Sequence, residues 1–276
     1  MHERKLIKDM ENEVSCCVLT PVFNPGKFLM PMLESVARQK NIVIKHIIYD
    51  GGSTDGSVEK LLAWKNAHEN VVFVSEKDEG QADALVKALK HVDTPYFGWL
   101  NADDYYLDGG LLKLLSEATN YYQRRGKLPA IIYGDYIRVD SLGKIIAYRP
   151  QPTFNRWDCL HGYITVQNAA AIFNCDLLRK AGGFDKKWRF VMDYDIILKL
   201  SGWGDVLHVP SYCGAFRHHA AAKTSTLDNV FQHEARLLRI QYGGSSHSAI
   251  SKLTHVVSKV RVAIRMARQG CLFARF

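Results

Sequence analysis

The amino-acid sequence predicts an α/β fold: a mostly parallel central sheet with helices on both faces, followed by a C-terminal helical tail. Three observations predict it. From Val14 to about Leu100, short apolar runs alternate with stretches of helical periodicity, the pattern of a parallel sheet covered by helices. Each apolar run gives way to a polar segment rich in small residues or carboxylates, where such sheets bind ligands. And 276 residues with 47% hydrophobic content can bury a substantial core without disulfides or a structural metal.

Strands are expected at Val14–Thr20, Lys45–Asp50, Val71–Ser75 and Tyr96–Leu100, each a short apolar run bounded by polar residues. Helices are expected between them at about Phe28–Gln39, Ser57–Ala67 and Gln81–Lys90, each opening after a polar turn that contains glycine. The second half predicts a hairpin (Ile137–Asp140, a Ser141-Leu142-Gly143 turn, Lys144–Tyr148) and a strand at Ala169–Phe173. A helix from about Asp193 to Leu200 and a strand near Val206–Val209 complete the body. No repeat or low-complexity linker divides these pieces, so residues 14–225 are read as one domain and 226–276 as a basic amphipathic tail.

The six cysteines form no CxxC pair, and Cys16 and Cys17 sit inside an apolar run, which suits buried free thiols in a reducing compartment. Met1 to Glu13 is dense in charge and lacks the apolar core of a secretory leader, and no run reaches the roughly 18 apolar residues of a membrane-spanning helix. A cytoplasmic location is expected. The net charge of +8 is uneven: Leu227 to Phe276 holds eight Lys or Arg against two Asp or Glu, or +6.

The segments that follow the strands carry the chemistry. Asn101-Ala102-Asp103-Asp104 directly succeeds a strand, and clustered carboxylates there suit a hard divalent cation that also grips phosphates. The same aspartates could cap a helix. Asp50–Ser57 offers tight turns, hydroxyls and carboxylates for a nucleotide, or an ordinary turn with Asp55 as cap; it is neither a dinucleotide fingerprint nor a P-loop. Asp193 and Asp195 stand at the start of an apolar helix whose dipole stabilises anions, and an ionised aspartate there can serve as a general base or as a cap. Arg217-His218-His219, with Lys223 beyond, offers an imidazole and cationic groups for a diphosphate.

In this order the segments resemble the family 2 glycosyltransferases, an inverting group with the GT-A fold. The resemblance rests on Thr20-Pro21-Val22-Phe23-Asn24, Tyr49 through Ser57, Asp78-Glu79-Gly80-Gln81-Ala82-Asp83-Ala84, Asn101-Ala102-Asp103-Asp104, Gly182-Gly183-Phe184-Asp185 and Met192-Asp193-Tyr194-Asp195. It implies Pro21 and Asp50 around the nucleotide base, Asp83 near base or ribose, and Asp78 near nucleotide or donor sugar. Thr20, Asn24, Ser53, Gly80, Asn101 and Ala102 are carried with them as donor-binding positions. Asp103 becomes the metal-binding member of the family's DxD element and His219 a further metal contact, for Mg²⁺ or Mn²⁺. Asp193 becomes the catalytic base, and Arg217 or Lys223 offsets charge on the leaving diphosphate. The chain departs from the pattern at Asn101, where many members have Asp, and at Met192, where Glu is usual, which makes Asp195 a rival base.

The implied function is transfer of a sugar from a nucleotide diphosphate donor, a UDP-sugar first among them, to a hydroxyl of a glycan or lipid-linked glycan, as in polysaccharide or cell-surface glycan synthesis. A sugar-phosphate nucleotidyltransferase would carry a glycine-rich, basic phosphate loop that Thr20–Lys27 does not resemble. A non-catalytic sugar-nucleotide or glycan-binding scaffold has Asn101 in its favour, and Asp103, Asp193 and His219 against it. From Ser248 onward the chain has no acidic residue, and Leu253, Val256, Val257, Val260, Ile264 and Ala267 share one helical face flanked by Lys252, Lys259, Arg261, Arg265 and Arg268. This predicts either a peripheral contact with an anionic inner leaflet or a helix packed on the domain. No nucleic-acid module is recognisable, so nucleic acid is not an expected partner.

Overall fold

Cys16 and Cys17 lie on opposite faces of the first strand, as the two-residue period of a strand requires, and belong to the two principal cores of the molecule. The computed structural model describes residues 14–220, 228–244 and 248–268. Within them, one sheet contains β1 (Ser15–Val22), β2 (Val43–Asp50), β3 (Val71–Ser75), β4 (Tyr96–Trp99), β5 (Tyr105–Tyr106), β6 (Ile131–Val139), β7 (Ile145–Arg149), β8 (Ala171–Asn174) and β9 (Val206–Arg217). Their order is β3-β2-β1-β4-β8-β6-β9-β5, with β7 paired to β6. The first four strands are parallel; β8 runs antiparallel to β4 and β6, while β6 and β9 are parallel again.

Helices α1 (Leu29–Ala37) and α4 (Gly110–Arg125) cover one face, and α3 (Gln81–Leu89), α6 (Cys175–Lys180) and α7 (Met192–Leu200) the other. α2 (Ser57–Ala67) follows β2, and the short α5 (Arg156–Leu160) lies between β7 and β8. α4 was not expected from the sequence, yet it buries Leu111, Leu114, Leu115 and Ala118 at helical spacing. A side chain at Gly110 would place its Cβ 2.1 Å from the Cys213 carbonyl oxygen, so glycine lets this helix start against β9. β9 is also longer than predicted. At Pro210 the β6–β9 register shifts, and pairing resumes at Tyr212, a bulge that accommodates the missing N–H.

The segment after residue 225 divides into two helices of different character. α8 (Asp228–Gln241) puts Ala235 and Leu238 into the core shared with α3 and α7. α9 (Ser248–Arg268) instead meets the body through Thr254, Ser258 and Val262, with Ser258 Oγ donating to Asp158 at 3.2 Å and Arg261 ion-paired to the same carboxylate. Val256, Val257, Val260 and Ile264, the expected apolar stripe, face outward and are 39–60% exposed. The side chains of Leu253 and Ala267 and of Lys252, Arg265 and Arg268 lie outside the described residues. Among the described residues no helix is long and apolar enough to cross a membrane. Cys16, Cys17, Cys159, Cys175 and Cys213 are all free and buried.

Candidate active site

β1 connects to β2 on one side, while β4, reached from the far edge, lies on the other, so a crevice opens beyond the carboxyl ends of β1 and β4. The loops after β1 and β2 are laced across it. Asn24, at φ 45°, accepts the Thr54 N–H on Oδ1 at 2.8 Å and donates its own N–H to Ser53 Oγ at 2.8 Å. Asp50, 1% exposed, accepts from the N–H groups of Gly52 and Ser53, both at 3.0 Å, and from the Ser75 hydroxyl at 2.7 Å. Asp50 thereby fixes the curvature of its own loop. Pro21 is buried opposite Tyr49, and Phe23, two residues on, projects its ring into solvent, 68% exposed.

After β3, Asp78 accepts the Gly80 N–H at 2.9 Å and lies over Gly51, where a Cβ would come within 2.7 Å of its carboxylate. Gly80, at φ 118°, precedes the first turn of α3 in a conformation that favours glycine. Asp83 is buried and ion-paired to Lys186 and, at 3.1 Å, to Lys87; these lysines, Lys186 foremost, hold its pKa down at about 2.

The turn after β4 is built around Asn101. Its Oδ1 accepts the Trp99 indole N–H at 3.0 Å and the Gln81 amide at 2.8 Å, and its Nδ2 faces Asp104 Oδ2 at 3.4 Å. An indole nitrogen only donates, which fixes the amide's orientation. Asp104 is buried, and burial followed by the neighbouring Asp103 raises its pKa well above the usual range. It accepts the Arg217 N–H at 2.9 Å. Asp103 is the outward-facing member of the pair, and its Oδ2 lies 3.0 Å from His219 Nε2. The His219 ring in turn packs on Phe28, with centroids 4.5 Å apart.

Three of the donor-binding positions expected from the sequence are buried. Thr20 is wholly buried because β1 runs on to Val22, and its hydroxyl bonds His46 at 2.9 Å. Ala102 points its methyl into the core under α1 and α4. Arg217 is 4% exposed: its Nε donates to the Asp103 carbonyl at 2.8 Å and its Nη1 to the Asp140 carbonyl at 3.3 Å, while the guanidinium lies over Phe28 and Tyr105. It holds the acidic turn through the Asp103 carbonyl. Lys223 lies outside the described residues.

Asp193 sits in the first turn of α7, accepts the Tyr194 N–H at 2.8 Å, and has its pKa raised by burial. It lines a cavity of about 370 Å³ together with Trp99, Asn101, Gln81, Phe190 and Phe231. Asp195 is committed elsewhere: 1% exposed, it is ion-paired to Lys199 at 2.7 Å and accepts the Tyr242 hydroxyl at 2.8 Å. Met192 is buried beside the cavity. Neither Phe23 nor the aromatic wall of the cavity was selected from the sequence, because exposed or lining aromatics carry no local signature.

The Asp103–His219 pair suits a cation held partly by substrate. Among the described residues no group of three or more His, Cys, Asp or Glu side chains could cage a metal, whereas Mg²⁺ and Mn²⁺ in phosphate sites take one or two protein ligands and complete their shell with phosphate and water. One carboxylate and one imidazole at the crevice mouth fit that requirement.

This architecture is the GT-A fold. S. aureus TarS residues 1–349, solved in complex with UDP-GlcNAc, superposes with a TM-score of 0.66 at 15% identity, covering 91% of this chain and 73% of that one. The mannosyltransferase PcManGT from Pyrobaculum calidifontis, solved with GDP-Man and Mn²⁺, gives 0.56 at 16% identity over 93% and 71%. Residues 17–139 match the model of Glycosyl transferase family 2. The chondroitin synthase of Escherichia coli is 25% identical over 197 residues, 71% of this chain but 28% of its own length.

Proposed function

We propose that the chain transfers a hexosyl residue from a nucleotide diphosphate sugar, a UDP-sugar first among candidates, to a hydroxyl of a glycan or lipid-linked glycan with inversion at the anomeric carbon. The observation that carries this reading is the shared cavity: Asp193 and Asn101, the first residue of the acidic turn, line one pocket. The donor class is supported by the UDP-GlcNAc held by TarS, and a role in polysaccharide or cell-surface glycan synthesis by the likeness to chondroitin synthase.

The laced loops at Asn24, Ser53 and Asp50 form a rigid rim for the nucleotide, and the exposed ring of Phe23 offers its base an apolar face. Asp103 and His219 would hold Mg²⁺ or Mn²⁺. Bound there, the ion would offset negative charge on the diphosphate as it leaves. Asp193 takes the proton of the acceptor hydroxyl, and burial makes it a stronger base than an exposed aspartate. Among the described residues lining the cavity it is the one carboxylate; acting as base, it leaves the acceptor oxygen to form the new bond to the anomeric carbon as the bond to the diphosphate breaks, one displacement that inverts the configuration. Turnover of a panel of nucleotide sugars with Mg²⁺ or Mn²⁺, with the product anomer assigned by NMR, tests this. Asp193→Asn is expected to lower transfer by about 10²- to 10⁴-fold; an undiminished rate removes Asp193 as the base.

The acceptor end of this reading includes an anionic membrane surface. The outward stripe of Val256, Val257, Val260 and Ile264 lies in a segment with no acidic residue, a combination that favours acidic headgroups. Flotation with vesicles containing anionic lipid is expected for the chain and is expected to be lost on Val260→Asp with Ile264→Asp. Equal flotation of both proteins counts against the membrane contact.

A further inference from the structure

We propose that α8 acts as a clamp on the segment that carries Asp193, with Glu234 and Tyr242 as positioning residues for that carboxylate. The proposal rests on the transfer reading above.

α7 lacks a side-chain N-cap: Val191 stands at its N-cap position and supplies no side-chain hydrogen bond. The approach to the helix is held instead from α8. The Glu234 carboxylate accepts the Arg189 N–H, 3.2 Å to each oxygen, and the Phe190 N–H at 2.9 Å. Those amides lie four and three residues before Asp193. Two residues after Asp193, the Tyr242 hydroxyl donates to Asp195 at 2.8 Å. The clamp therefore grips the chain on both sides of the candidate base.

α8 is itself well anchored. Ala235 and Leu238 are buried in the core, and Gln241 accepts from Lys187 Nζ at 2.9 Å. Phe231, one turn before Glu234, lines the same cavity as Asp193 and Phe190. α8 and the turn that follows it thus supply part of the pocket wall and the fixed points that set the position of the carboxylate within it. A carboxylate bonding two consecutive backbone amides is a strong, directional tether, and displacement of a reacting group by about 1 Å can cost on the order of a hundredfold in rate.

The test compares Glu234→Ala, Glu234→Gln and Tyr242→Phe with the wild-type chain by amide hydrogen exchange and steady-state kinetics. In Glu234→Ala the amides of Arg189 and Phe190 are expected to exchange about tenfold faster or more. Its kcat is expected to fall by about ten- to a hundredfold, with the donor KM within about twofold. Glu234→Gln, which keeps an acceptor oxygen, is expected to recover most of both, and Tyr242→Phe to give a smaller loss of kcat. Unchanged exchange at Arg189 and Phe190 overturns the clamp, and faster exchange with wild-type kcat overturns its catalytic role. A wild-type chain that turns over no donor overturns the transfer reading and the catalytic role with it, while the exchange measurement still reports whether the clamp exists.

Discussion

Asn101 accepts from Trp99 and Gln81 on its oxygen, which leaves its nitrogen facing the buried Asp104. An aspartate in its place would keep the two acceptor contacts but set a third carboxylate against Asp103 and Asp104. Asn101→Asp is therefore expected to lower the melting temperature in metal-free buffer, more at about pH 8 than at about pH 5, since like charges repel only when ionised. Asp193 carries the opposite lesson for stability. Its folded pKa is raised, so ionisation opposes folding, and stability is lost as pH rises from the unfolded value of 3.8 through the raised one. Asp193→Asn should accordingly melt at a higher temperature than wild type at neutral pH, while losing transfer. Among the residues proposed from the sequence, the fold brings Asp103 to His219 and sets Asp193 and Asn101 on one cavity. The fold buries Thr20, Ala102 and Arg217, which the motif could not indicate, because it gives the order of side chains along the chain and not the face to which each points. Glu234 had no signal at all, since its partners are backbone amides more than forty residues away.

The parallel half of the sheet was legible almost element by element: β3 and α2 have the predicted bounds, and β1, β2 and β4 differ by two residues or fewer at each end. Alternation of apolar runs with polar turns is strong there because each strand ends at the functional crevice. β6 and α4 were less legible. Only the end of β6 was read, as the first arm of the hairpin, although Ile131–Tyr136 is nearly all buried. α4 has no counterpart among the expected helices, although its leucines recur at helical spacing. Leu114 is fully buried beneath it, and Leu114→Ala is expected to cost about 2–5 kcal/mol in a chemical denaturation experiment. Between elements, Asp83 joins α3 to the loop before α7 through Lys186. Its folded pKa of about 2 lies below the unfolded 3.8, so its contribution is present above about pH 4 and is lost as pH falls through about 2. Asp83→Asn should flatten the acid-unfolding curve across that window.

At the scale of the whole molecule, composition marked the C-terminal segment as basic and amphipathic but could not separate its helices. α8 completes the core and reaches the segment before α7, while α9 keeps its polar face on the body and turns its valines outward. Periodicity reports that a helix has two faces, and the docking partner decides which one is hidden. Here Asp158 decides, by recruiting Ser258 and Arg261.

The buried thiols give the molecule an internal clock. Burial pushes Cys159, Cys175 and Cys213 each up to about 12, so their nucleophilic thiolate form is scarce while the chain stays closed. They lie in different parts of the fold: Cys159 on α5, Cys175 at the start of α6, Cys213 on β9. Alkylation followed peptide by peptide is expected to proceed at one shared rate if the molecule opens as a unit, and at distinct rates if its helical flank loosens before the sheet. Three native cysteines would then time the opening of the protein without any added label.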